Sequence, residues 1–140
     1  MENLGEFIIN HWILSSLFVI LLYLVFSDTL NRRLSGLQPI NVSEAVNLVN
    51  QQKGCFIDVR EEEAFAKAHI VDAINIPHSQ LDEDFSKKLK KMDQPLVVVC
   101  DSGQKSRAAA KKLKTKGYTN VFILSGGLHA WRDAKLPLFG

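Results

Sequence analysis

Cysteine is scarce in this chain, and so is net charge. Two cysteines, Cys55 and Cys100, stand among 140 residues, too few for the disulfide framework of a small secreted domain. The formal net charge is only +2, which does not favour nucleic acid as a partner, because binding to phosphates needs a concentrated basic surface. The composition therefore predicts reduced thiols and no nucleic-acid partner.

Charged residues are absent from residues 7–26, which read FIINHWILSSLFVILLYLVF. A helix of twenty residues extends about 30 Å, the thickness of the hydrocarbon core of a bilayer. The sequence therefore predicts a transmembrane helix at 7–26, after a tail at 1–6 and before a polar link at 27–35. No Lys or Arg precedes the run, and no small-residue cleavage site follows it, so we expect an uncleaved anchor rather than a signal peptide.

Every Lys and Arg of the chain follows the apolar run, beginning with Arg32 and Arg33. By the positive-inside rule, this predicts a single-pass protein with its N-terminus outside and the remainder of the chain in the cytoplasm. A bacterial inner membrane is the expected location. The lipid bilayer and other membrane proteins are the partners expected for the N-terminal segment.

Residues 36–140 are expected to form one domain, in which short apolar runs alternate with helix-forming segments. Nearly continuous apolar runs suit strands that are buried on both faces, so the pattern predicts an α/β fold with a parallel sheet flanked by helices on both faces. The predicted strands are Cys55–Val59, Ala73–Ile76, Leu96–Cys100 and Val121–Leu124; the predicted helices are one capped by Ser43, Glu61–Lys67, Phe85–Met92, Gln104–Lys116 and Leu128–Ala134.

Cys100 ends the central apolar run and is followed by a polar turn and a helix. Sites in parallel sheets gather at the carboxyl ends of strands. A tight turn into a helix N-terminus directs several backbone N–H groups at one point, where they stabilise a thiolate. We therefore expect Cys100 to be a nucleophile rather than an inert strand-end thiol. Cys55 begins its strand, more than about 10 Å away, and is predicted to be a buried structural thiol.

Four segments over residues 36–140 resemble, in order, the motifs of the rhodanese domains. They are Phe56–Arg60, Glu63–Pro77, Cys100–Ser106 and Leu124–Trp131. The chain departs from the family pattern at three positions: Ala68 and Asp72 stand where the family often has Gly, and Lys105 stands where it often has Arg. Lysine keeps the charge but loses the planar fork that binds an oxyanion through two hydrogen bonds.

The resemblance implies a rhodanese-like sulfurtransferase that needs no cofactor and no metal. Cys100 would be catalytic and would take sulfane sulfur from thiosulfate or a related anionic donor. The resulting persulfide would pass its sulfur to a thiol or cyanide-like acceptor. Structural roles are expected for Asp58, His69 and Trp131. The residues that the resemblance assigns to substrate binding are Asp101, Ser102, Gly103, Gln104, Lys105 and Ser106.

Two other functions remain open from the sequence. The domain could be a non-catalytic rhodanese-like adaptor that recruits partners at the membrane, a reading that the Lys105 departure motivates. A phosphatase is less favoured, because related phosphatases separate Cys and Arg by five residues. Here Ser106 stands at that position and Arg107 comes one residue later.

Overall fold

The computed structural model describes residues 2–84, 86–89 and 91–140, with the backbone alone at residues 2, 28 and 31–33. The chain divides into two compact units, Met1–Gly36 and Leu37–Gly140. The side chains of Arg32 and Arg33, on which the predicted orientation depends, lie outside the described residues.

The first unit consists of two helices, α1 (Glu2–Asn10) and α2 (Trp12–Leu34). The prediction of a single uninterrupted helix at 7–26 is wrong, because the structure has two helices that are separated at His11. Asn10 and His11 both have low helix propensity. In the described part of the chain, no one helix has the length and apolar character to cross a membrane. The two helical segments Asn3–Asn10 and Trp12–Ser27 together have this length and apolar character, but the second is bent by 91° relative to the first.

The polar residues predicted to link the two parts of the chain instead continue α2 as far as Leu34. The hydroxyls of Ser27 and Thr29 donate to the carbonyl oxygens of Leu24 and Val25, both at 3.1 Å. These local hydrogen bonds occupy the polar side chains within the helix, so the polar composition does not end it.

The second unit contains a five-stranded sheet in the order β1-β5-β4-β2-β3, and every pair of neighbouring strands is parallel. The predicted α/β fold is confirmed. The strands are β1 (Gln38–Ile40), β2 (Cys55–Asp58), β3 (Ile74–Asn75), β4 (Leu96–Val99) and β5 (Val121–Leu124). The helices are α3 (Val42–Gln52), α4 (Glu62–Lys67), α5 (Gln104–Thr115) and α6 (Gly127–Asp133), with a 3₁₀ turn at His78–Gln80.

Helices cover both faces of the sheet, as the apolar runs predicted. On one face, Ala109 and Leu113 of α5 pack in a cluster with Val98 and Cys100. On the other face, α3 and α6 contribute to a cluster that includes Val97 and Val99. Because alternate residues of a strand point to opposite faces, Cys100 directs its side chain to the α5 face.

Two local predictions in this unit are wrong. Asn41, and not Ser43, caps α3: Asn41 Oδ1 accepts the Glu44 N–H, and Glu44 Oε2 accepts the Asn41 N–H, both at 2.8 Å. This reciprocal capping box satisfies two amides that a cap at Ser43 would leave free.

The helix predicted at Phe85–Met92 is also wrong for the described residues, where 86–88 form a turn. Asp84 Oδ1 accepts the Ser86 N–H at 2.9 Å, a local hydrogen bond that competes with helix formation. Phe85 and Lys90 lie outside the described residues.

Candidate active site

Cys100 lies directly beyond the central strand β4, at the carboxyl edge of the sheet, and is 3% exposed. The Gly103 N–H donates to Cys100 Sγ over 2.9 Å. A donor at this distance stabilises negative charge on the sulfur. Of the amides at 101–106 that were expected to converge on the sulfur, Gly103 is the one that forms a hydrogen bond to it in the described chain.

Gly103 also precedes α5 as its N-terminal capping residue, with φ at 95°. L-residues with a side chain rarely adopt this left-handed conformation, so glycine lets the chain turn sharply between the sulfur and the helix. The turn directs the Gly103 amide back to the sulfur and places the start of α5 beside it.

Backbone amides at the start of α6 form hydrogen bonds to the carbonyl oxygens of the Cys100 loop. The Leu128 N–H donates to the Cys100 carbonyl at 2.9 Å, and the His129 N–H donates to the Asp101 carbonyl at 3.3 Å. Gly127 has φ at 56°, and a Cβ there would lie 2.7 Å from the Asp101 oxygen and closer still to the Cys100 oxygen. Sequence reasoning missed this requirement, although two successive glycines after a strand were its signal.

A buried ion pair lies beside the loop. Arg60 donates from Nε to Asp58 Oδ1 at 3.0 Å and from Nη2 to Asp58 Oδ2 at 2.7 Å. Nη2 also donates to the Ala68 carbonyl at 2.6 Å. Asp58 therefore has the structural role expected from the sequence, and its carboxylate is compensated in the interior.

Arg60 extends this network to the loop itself. Its Nη1 lies 3.8 Å from Asp101 Oδ1, and the Asp101 side chain is 64% exposed. Asp101 thus faces outward at the edge of the site. The sequence pattern did not reveal this link, because it joins two motifs about forty residues apart.

The other predicted substrate-binding residues divide into two groups. Ser102, Gln104 and Lys105 are exposed around the loop, and Gly103 is half-buried. Ser106 is fully buried, and its Oγ has no hydrogen-bond partner among the described atoms. Its hydroxyl is therefore not presented to solvent, in contrast to the side chains that precede it.

Cys55 occupies the opposite edge of the sheet. It pairs with Leu96 at the start of β4, whereas Cys100 follows the end of that strand. Cys55 is half-buried rather than buried as predicted. Its Sγ donates to the Phe56 carbonyl at 3.4 Å, and desolvation by burial raises the pKa of this thiol above its usual value. Both thiols are free.

The remaining candidates are structural. His69 Nδ1 lies 2.8 Å from the Phe65 carbonyl oxygen, and the two rings stack with centroids 4.1 Å apart. Trp131 is buried and its Nε1 donates to the Pro137 carbonyl at 3.1 Å. In the part of the chain that the structure describes, no three His, Cys, Asp or Glu side chains lie close enough together to hold a metal ion.

Comparisons with known proteins identify both a family and a fold. The family model of the rhodanese-like domain matches residues 41–134. The uncharacterized protein YibN of Escherichia coli K12 is 32% identical over 139 residues, which cover 99% of this chain and 97% of YibN. The thiosulfate sulfurtransferase GlpE of Pseudomonas syringae is 34% identical over 89 residues, covering 64% of this chain and 82% of GlpE. The crystal structure of a rhodanese-related protein from Thermoplasma volcanium superimposes with a TM-score of 0.59 at 31% identity, covering 73% of this chain and 97% of that one.

Proposed function

The chain belongs to the rhodanese-like domain family, and from this premise we propose that it is a sulfurtransferase that carries sulfane sulfur on Cys100. The observation that carries the proposal is the hydrogen bond from the Gly103 N–H to Cys100 Sγ, 2.9 Å long, at the carboxyl edge of the sheet. A negatively charged sulfur is needed at that point in both halves of the reaction, first as a thiolate and then as a persulfide.

In the first half-reaction, the Cys100 thiolate attacks the outer sulfur of the donor. With thiosulfate, a sulfur–sulfur bond forms on Cys100 while the sulfur–sulfur bond of thiosulfate breaks, and its electron pair leaves with sulfite. The total charge is unchanged, because a thiolate and a dianion become a persulfide anion and sulfite dianion. The preorganised amide of Gly103 stabilises the charge on the cysteine sulfur throughout.

In the second half-reaction, a thiol or cyanide-like acceptor attacks the outer sulfur of the persulfide. The bond to Cys100 Sγ breaks, its electron pair returns to Sγ, and the thiolate is regenerated. Exposed Lys105 supplies a positive charge near the loop that attracts anionic donors. The exposed polar side chains of Ser102 and Gln104 complete the proposed donor-binding surface.

Loading of the persulfide tests this function. The purified full-length chain, incubated with thiosulfate and then digested, is expected to show the mass of one added sulfur atom on the Cys100 peptide. Dithiothreitol should remove it, and Cys100→Ser should prevent it. If no donor of sulfane sulfur loads Cys100, the catalytic proposal is wrong and the adaptor function becomes the better account.

We also propose that residues 7–26 attach the protein to a lipid bilayer, with the rhodanese-like domain in the cytoplasm. Large apolar side chains of this segment, such as Trp12, Phe18 and Phe26, are at least 60% exposed, and water solvates such a surface poorly. Alkaline carbonate should leave the full chain in the membrane fraction and release a variant that lacks 7–26. Protease added to spheroplasts should leave the domain intact; digestion of the domain would contradict the orientation.

A further inference from the structure

Asp101 contributes an exposed carboxylate to the Cys100 loop. It directly follows the nucleophile in the chain, and its side chain is 64% exposed. The His129 N–H holds its carbonyl oxygen at 3.3 Å, so the backbone that carries the carboxylate is fixed on the α6 side. A donor that reaches the loop therefore meets the field of this exposed carboxylate.

Arg60 does not cancel that charge. Nε and Nη2 of the guanidinium are bonded to Asp58 at 3.0 and 2.7 Å, while Nη1 lies 3.8 Å from Asp101 Oδ1. One positive charge thus faces two carboxylates, which leaves the group of three with a net negative charge. The Cys100 thiolate of the proposed mechanism adds another, while exposed Lys105 in the loop and half-buried Arg107 in the first turn of α5 supply positive charge.

We propose, on the basis of the sulfurtransferase function above, that Asp101 determines donor specificity by charge. It disfavours dianionic donors such as thiosulfate, and it favours donors with one negative charge or none, such as hydropersulfides of small neutral thiols. Repulsion from a fixed carboxylate scales with the charge of the donor, so a dianion is penalised more than a monoanion and a neutral donor is not penalised.

The reaction with a hydropersulfide balances without a further reactant. The Cys100 thiolate attacks the outer sulfur of R–S–SH and forms a new sulfur–sulfur bond. The sulfur–sulfur bond of the donor breaks, and its electron pair leaves on R–S⁻. Cys100 retains the outer sulfur and its proton as S–SH, and the total charge stays at −1.

Asp101→Asn tests the proposal because it removes the charge and keeps the shape of the side chain. The measured quantity is the second-order rate of persulfide formation on Cys100, with thiosulfate and with the hydropersulfide of 2-mercaptoethanol, at low ionic strength. We expect the rate with thiosulfate to rise about three- to tenfold and the rate with the hydropersulfide to change less than about twofold. Added salt should reduce the difference between variant and wild type, because salt screens exposed charges.

Asp82→Asn is the matched control. Asp82 is also exposed and pairs with Lys112 at 2.9 Å, and either substitution removes one negative charge and raises the formal net charge from +2 to +3. The control should leave both rates unchanged. If Asp101→Asn leaves the ratio of the two rates unchanged, or if Asp82→Asn shifts it equally, the specificity proposal is wrong although the sulfurtransferase function stands. If neither donor loads the wild-type chain, the sulfurtransferase function fails and the specificity proposal fails with it.

Discussion

The two cysteines of this domain lie at opposite ends of the strands of one sheet, and the hydrogen bonds to their sulfur atoms differ. Cys100 Sγ accepts a hydrogen bond from the Gly103 amide at 2.9 Å, whereas Cys55 Sγ donates one to the Phe56 carbonyl at 3.4 Å. A donor directed at a sulfur stabilises negative charge on it, whereas burial raises the pKa of the Cys55 thiol and outweighs a backbone hydrogen bond from Ile74 that lowers it. In this domain, the turn after β4 therefore directs an amide at Cys100 and makes it the cysteine better suited to the proposed nucleophilic chemistry.

The largest effect should come from exchanging each sulfur for oxygen. Cys100→Ser is expected to lower sulfur transfer from thiosulfate to cyanide by at least about a thousandfold, since removing a nucleophile removes the covalent route. Cys55→Ser should retain activity within about twofold. Thiocyanate formation measures both, and substantial activity in Cys100→Ser would remove the basis of the comparison.

The buried ion pair of Arg60 and Asp58 should contribute strongly to the free energy of unfolding of the domain. Arg60→Met leaves the buried Asp58 carboxylate without its partner, and we expect a loss of about 3–5 kcal/mol in the free energy of unfolding. Urea denaturation monitored by tryptophan fluorescence measures it, with exposed Arg132→Met as a control that should change stability by less than about 0.5 kcal/mol. Equal losses in the two variants would contradict a special role for the pair.

The support under the loop gives the next effect. Gly127→Ala should destabilise the domain by about 2–4 kcal/mol, because the new Cβ would overlap the Cys100 and Asp101 carbonyl oxygens in addition to the strain at φ 56°. Gly103→Ala meets no atom closer than 3.7 Å, so strain alone should cost about 1–2 kcal/mol. If the urea midpoints rank the two variants in the reverse order, the close contact between Gly127 and the loop carbonyls is not the larger constraint on stability.

The smallest effect concerns the pKa of Cys55, at the opposite end of the strands from Cys100. Burial raises the pKa of Cys55, so the folded protein keeps this thiol protonated to higher pH than the unfolded chain does. The resulting stabilisation is fully present below the unfolded pKa and is lost as pH rises through the folded pKa. In a Cys100→Ser background, iodoacetamide near pH 9.0, the usual thiol pKa, should label folded protein more slowly than urea-unfolded protein. Equal labelling rates would contradict the raised pKa.

Much of the sheet could be predicted from the sequence, because β2, β4 and β5 are short and almost entirely apolar. β1 could not be predicted, since its residues Gln38–Ile40 form a strand only through their pairing with β5, more than eighty residues away. The cap of α3 was misplaced by two residues because both Asn41 and Ser43 are good capping residues. Only the side-chain geometry distinguishes them.

The candidate site, like the sheet, could be predicted where its features are local in sequence, but not where distant segments come into contact. A cysteine, a glycine and a helix start within one short segment indicated the loop, because these features are local in sequence. The contacts from Arg60 to Asp101 and from Gly127 to the loop carbonyls depend on how distant segments meet. Ser106 was predicted at the site from its position in the motif; its side chain is fully buried in the first turn of α5, and its part in substrate binding stays a prediction.

The most direct test is to identify which cysteine carries sulfur in cells. The full chain is isolated under conditions that preserve persulfides, its free thiols and persulfides are alkylated, and the peptides containing Cys55 and Cys100 are analysed by mass spectrometry. The account predicts an additional sulfur atom on the Cys100 peptide and none on the Cys55 peptide. An additional sulfur on Cys55, or on neither cysteine, would contradict it.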